Sequence, residues 1–123
     1  YYVQYAYARI CSIIRNLVAE GVNKRACTVD ELNLLNTSEE RELILHLASL
    51  TDEIVASAKA YDPAKITRYV VDLATFFHKF YNACRVNCDD EKLMQARLYL
   101  CICVKETIKN ILEMLRITVP ESM

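Results

Sequence analysis

A single glycine and two prolines in 123 residues leave this chain almost none of the material from which strand-to-strand turns are made. Tight hairpins draw on glycine because their backbone must enter positive φ, where a Cβ clashes. The apolar residues recur instead at three- and four-residue intervals, the period of a helix with one buried face. An all-α fold follows, a helical bundle of about five helices. With 54% apolar and 25% charged residues, the chain can bury a real core, which excludes intrinsic disorder. Its length suits one domain over residues 1–123, without room for an appended catalytic domain.

The first helix is expected over residues 1–20, with Val3, Ala6, Ile10, Ile13, Ile14 and Leu17 on its apolar stripe. Gly21 follows as its terminator, the one residue that takes the left-handed cap conformation cheaply. Residues 23–36 are polar and acidic and read as a connection, with a short helical turn at 31–35. The second helix begins near Thr37, which stands three residues before Glu40 in the spacing of a capping box. Thr51 is expected to cap a third helix through Ala60, and Asp62-Pro63 to open a fourth that stops near Val86. Asp89, Asp90 and Glu91 start the fifth and longest, which runs to about Ile117 before Pro120 ends the pattern.

The net charge of −1 hides an uneven distribution. Residues 1–27 hold four basic groups against one acid, residues 28–62 two against eight, and residues 63–123 nine against seven. An anionic partner is therefore expected at the two ends of the chain and not at its middle. No run of eighteen apolar residues spans a membrane, and no signal peptide is evident. The chain lacks an initiator methionine and opens within a helical pattern, as a piece cut from a longer protein would. Most of the six cysteines fall on apolar helix faces, where reduced thiols pack as small hydrophobes, which points to a cytoplasmic compartment.

Motifs for chemistry are absent. One glycine cannot build a phosphate-binding loop. Cys84-x3-Cys88 and Cys101-x-Cys103 lack the paired spacing of a zinc ribbon, and no metal site is expected. His46 reads as a surface or boundary residue. His78 has no nucleophile or carboxylate one turn away, so a structural histidine bonded to backbone is the expectation, and no catalytic residue is assigned.

What stands out is tyrosine. Tyr1, Tyr2, Tyr5 and Tyr7 crowd the first two turns, beside Arg9, with no acid before Glu20. Tyr5 and Arg9 lie four apart and share a helix face. Flat rings next to a guanidinium suit unpaired bases, which stack on aromatics while arginine holds their phosphates. The alternative is that the rings fill a core.

The stretch Tyr2-Val3-Gln4-Tyr5-Ala6-Tyr7-Ala8-Arg9 resembles the opening helix of the anticodon-binding domain of class I arginyl-tRNA synthetases, whose pattern runs close to YVQYAHAR. Three more stretches follow in the family's order. Phe77-His78-Lys79-Phe80-Tyr81-Asn82-Ala83-Cys84 resembles FHxFYxxC. Ala96-Arg97-Leu98-Tyr99-Leu100 is similar to the ARLxL region that gives the domain its DALR name. Val119-Pro120-Glu121-Ser122-Met123 resembles a closing PERM. The departures are Tyr7 for histidine, Ser122 for the terminal arginine, and Gln95 before Ala96.

The resemblance implies a domain from the C-terminus of a synthetase that joins arginine to its tRNA in protein biosynthesis. It implies ATP and Mg in the parent enzyme, no cofactor in this domain, and no active site in these residues. Its partners would be the anticodon loop of arginine tRNA and the catalytic domain of the same polypeptide, with no membrane. Carried over by position, Tyr5 and Arg9 would contact the loop, Tyr81 would stack on a splayed base, and Met123 would lie beside it; Tyr2 and Phe77 are further candidates, with a core role for Phe77 and His78 as the alternative to contact. All arginine anticodons share a central C, whose recognition needs hydrogen bonds to its edge. Two alternatives are the related domain of cysteinyl-tRNA synthetases and a stand-alone helical module that docks proteins on the tyrosine face.

Overall fold

The computed structural model describes residues 2–22, 29–60, 62, 64–86 and 88–115. Among them the chain forms six helices and no strand. These are α1 (Tyr2–Ala19), α2 (Val29–Leu32), α3 (Ser38–Ala48), α4 (Leu50–Ala60), α5 (Ala64–Ala83) and α6 (Glu91–Met114). The sixth element, relative to the five expected, is the four-residue α2, which falls inside the acidic connection where a single turn was anticipated.

The ends of the elements follow from local chemistry. Gly21 sits at φ 87°. Its N–H donates to the Val18 carbonyl at 3.0 Å and the Val22 N–H to the Leu17 carbonyl at 2.9 Å, the paired bonds of a Schellman stop. Thr37 and Glu40 form the capping box, each side chain bonded to the other's backbone N–H at 3.2 Å. Asp90 caps α6 by accepting from Lys92 N and Leu93 N. Asp62 accepts from the Ala64 N–H at 3.0 Å and so starts α5, whereas Pro63 lies outside the described residues. Thr51 is not a cap. Only Ser49 separates α3 from α4, and α4 is already helical at Leu50. The Ser49 hydroxyl donates back to the His46 carbonyl at 2.7 Å, so the break is made by Ser49 itself.

α5 is the hub. It packs against α1, α3, α4 and α6, and α1 also lies along α6. Phe77, Phe80 and Leu73 of α5 meet Ile10 of α1, Leu43 of α3, and Val104 and Ile108 of α6 in one core, all fully buried. Ala6, Ala74 and Ala96 are likewise buried and let the helix backbones approach closely.

Two polar links join distant parts of the bundle. His46 lies on Tyr69, ring centroids 4.2 Å apart and 14° from parallel. Its Nε2 meets the Tyr69 carbonyl at 2.9 Å, and the Tyr69 hydroxyl donates to the His46 carbonyl at 2.6 Å. His46, half-buried, is thus a boundary residue that clamps α3 to α5. Burial pushes the Tyr69 phenol up to about 12. The second link is the wholly buried Glu40, whose Oε2 accepts from Arg97 Nε of α6 at 3.2 Å. Arg97 Nη1 goes on to the Arg85 carbonyl at 2.7 Å, tying the turn after α5 to the capping box of α3.

Candidate nucleic-acid interface

The outward face of α1 carries Tyr2, Tyr5, Arg9, Ser12 and Asn16, each three or four residues from the next. The opposite face buries Val3, Ala6, Tyr7, Ile10 and Leu17. The tyrosine cluster therefore splits. Tyr7 is core at 4% exposure, while Tyr2 and Tyr5 are each 46% exposed, and Tyr1 lies outside the described residues. Core filling and surface display were not alternatives for the group but for each ring, decided by its place on the helix.

Tyr5, Arg9 and Tyr81 come together. The Arg9 guanidinium carbon is 5.2 Å from the Tyr5 ring centroid and 4.7 Å from that of Tyr81, which α5 brings across from 72 residues away. Arg9 Nη2 donates to the Tyr5 hydroxyl at 2.6 Å. That hydrogen bond is the main reason the guanidinium's pKa is raised beyond its ordinary value. A cation thus lies between two aromatic rings at the mouth of a cleft of about 290 Å³ that Tyr5, Arg9, Ser12, Asn16 and Tyr81 help to line.

Tyr2 is anchored to α5, its hydroxyl donating to Thr75 Oγ1 at 3.2 Å, and its ring packs 5.2 Å from that of His78. The Tyr5 ring lies 6.0 Å from His78 on the other side. Burial, and then the charge of Arg9, hold the His78 imidazole below its usual pKa. Among the described residues the buried Nε2 of His78 has no hydrogen-bond partner, and neither has Arg9 Nε.

For Phe77, a candidate contact with a core role as its alternative, the structure favours the core. It is fully buried, packed 6.2 Å from both Phe80 and Tyr81. It cannot reach a base from there, and its part is to back the Tyr81 ring from below. Met123 lies outside the described residues. Sequence reasoning missed Ser12 and Asn16 as lining of this cleft. Both were findable, since they continue the Tyr5–Arg9 register along α1.

Among the described residues no group of three His, Cys, Asp or Glu side chains could hold a metal ion. The thiols of Cys11, Cys84 and Cys101 are buried and unbridged, and burial pushes that of Cys101 up to about 12. No described helix is long and apolar enough to cross a membrane.

A family model described as the DALR anticodon binding domain matches residues 3–123. The chain is similar over its whole length to the arginine–tRNA ligase of Ruminiclostridium cellulolyticum, at 48% identity, and to that of Caldanaerobacter subterraneus subsp. tengcongensis, at 49%. It spans 22% of the length of each. Among solved structures it resembles Thermus thermophilus arginyl-tRNA synthetase, with a TM-score of 0.83 and 30% identity over 99% of this chain and 21% of that one.

Proposed function

The chain belongs to the DALR anticodon binding domain family, of the type found in arginyl-tRNA synthetases, and from that premise we propose that its α1–α5 face grips the anticodon loop of an arginine tRNA. The cysteinyl relationship is not favoured, because the similar proteins are arginine–tRNA ligases. The observation that carries the reading is the Arg9 guanidinium held between the rings of Tyr5 and Tyr81. Tyr5 is half-exposed and Tyr81 partly so, and bases stack on such rings for about 1–3 kcal/mol each. Arg9 offers the charge that a phosphate between stacked bases needs. Tyr2, fixed to Thr75, extends the aromatic floor. Met123 belongs to the same site by its place in the family pattern.

The action is positional. A loop held here orients the whole tRNA, so that its far end is presented to a catalytic domain elsewhere in the same polypeptide, where arginine, ATP and Mg would meet. Binding at a distance then supplies part of the orientational entropy of that reaction.

Titration of the chain with an arginine anticodon stem-loop at several salt concentrations tests the reading. Tyr81→Ala should weaken binding by about 5- to 150-fold, the range for one lost stacking platform. Arg9→Ala should also lower the salt slope by about 0.7, the value for one released counterion on single-stranded RNA. Affinity and slope unchanged in both variants would remove this face from the site.

A further inference from the structure

The Tyr2 ring is held at two points. His78 packs beside it, 5.2 Å between ring centroids, and its hydroxyl donates to Thr75 Oγ1 at 3.2 Å, across 73 residues of sequence. Tyr2 opens α1, and helix termini are where fraying begins. A tie to α5 at this place fixes more than the ring. It also fixes where the one hydroxyl proton points.

The Thr75 hydroxyl has a single proton, and that proton goes to the Val71 carbonyl at 3.1 Å, the backward bond a threonine makes inside a helix. Toward Tyr2, then, Thr75 Oγ1 can only accept. The Tyr2 proton is spent in turn, and the phenol is left with a lone pair. The bonds from Tyr2 to Thr75 to Val71 all run in one direction, so each polarises the next and makes the Tyr2 oxygen a better acceptor. Tyr5 is set the other way. Its hydroxyl accepts from Arg9 Nη2 at 2.6 Å, so its own proton is the one left to give. Two half-exposed phenols, three residues apart on one helix face, are thus opposite in polarity. A phosphate or carbonyl oxygen suits Tyr5 and Arg9 but has no proton to offer Tyr2.

We infer that Thr75 is a positioning residue for RNA recognition. By taking the Tyr2 proton it makes Tyr2 an acceptor for a hydrogen-bond donor of the bound loop, either a ribose 2′-hydroxyl or an exocyclic base amine. The inference rests on the α1–α5 face being the anticodon-loop surface. Of the two donors, the 2′-hydroxyl is the one that DNA lacks.

The probes are arginine anticodon stem-loops, each altered at one loop nucleotide: 2′-deoxy in one series, a base without its exocyclic amine in the other. The intact chain should show a position where one series weakens binding by about 2- to 12-fold, the value of one hydrogen bond, and that series names the donor. Tyr2→Phe should lose as much affinity for the unaltered loop and show no further loss at that position. It should keep the salt slope, since no phosphate contact is removed. Thr75→Val should behave like Tyr2→Phe, although Tyr2 keeps its hydroxyl. Thr75→Ser should restore both the affinity and the loss at that position. Melting temperature should hold in all three variants, because both hydrogen bonds lie at the surface. Four outcomes would each overturn the inference: no donor-sensitive position, full affinity in Tyr2→Phe, a lowered salt slope in Tyr2→Phe, or a sensitivity that survives Thr75→Val. Impaired binding in Arg9→Ala and Tyr81→Ala would then leave the first reading standing, and no effect in those two would overturn the reading beneath it. A loss in Thr75→Val that comes with a lowered melting temperature, and that serine does not rescue, would make Thr75 structural and also defeat the inference.

Discussion

Replacing Arg97 by methionine should destabilise the domain by about 3–4 kcal/mol, because it strands a buried charge. Glu40 is fully buried and Arg97 is 12% exposed, so water cannot take over as partner. Removing one member of such a pair costs about 3–5 kcal/mol. Here the lower end applies, since Glu40 Oε1 keeps the Thr37 hydroxyl at 2.8 Å and the Thr37 N–H at 3.2 Å. The lost bond from Arg97 to the Arg85 carbonyl adds up to about 1 kcal/mol. Methionine fills most of the arginine stem's volume, so a cavity contributes little. The expected fall in Tm is on the order of 12 °C for a chain of this size. Urea melts give the number directly, with an unchanged m-value showing that only stability moved. Adding Glu40→Gln to Arg97→Met should recover at least about 1 kcal/mol, because the second change removes the orphaned charge while an amide oxygen remains for Thr37. A loss below about 1 kcal/mol in the single variant, or no recovery in the double, would show that the charge pair is not what holds the turn after α5 to α3.

Phe77→Ala should cost about 3–5 kcal/mol of stability as a core truncation; if urea melts show less than about 1 kcal/mol, Phe77 does not back the site from the core. Stability should also fall on acidification through His78. Its folded pKa lies below 6.5, so the unfolded chain binds more protons as pH drops through 6.5; the contribution is complete above that value and is lost below it. Melts at about pH 7.5 and about pH 5.5 should show a drop that His78→Asn reduces, and an equal drop in both proteins would assign the titration elsewhere. Deleting residues 120–123 should weaken stem-loop binding far more than it lowers Tm; an unfolded truncation would make the tail structural.

Much of the fold was legible because helix periodicity and caps are local. The apolar stripe of α1, the Gly21 stop, the Thr37–Glu40 box and the Asp90 start all depend on residues within one or two turns. What sequence spacing could not show is which distant element covers a given face. The capping-box glutamate looked like a local device, yet its charge is balanced from 57 residues away. His46 carried no local signal for its partner, and its clamp on Tyr69 depends on α3 packing against α5. The same limit divides the site. Tyr5 and Arg9 were readable as one face of one helix, and the structure adds Tyr81 to them. Phe77 and Tyr81 lie one turn apart in one motif, and only the packing of α5 on its neighbours decides that Phe77 goes inside and Tyr81 stays at the rim. Thr51 was misread for a smaller reason: a good capping residue is no cap when the chain before it is already helical.

The most direct measurement is an NMR titration of the chain with an arginine anticodon stem-loop, following backbone and tyrosine ring signals. The account predicts the largest shifts along the outward register of α1, at Tyr2, Tyr5, Arg9 and Asn16, and at Tyr81 of α5, with α4 unmoved. Saturable binding whose shifts gather on α4 or on the acidic α2–α3 surface, leaving Arg9 and Tyr81 undisturbed, would contradict it.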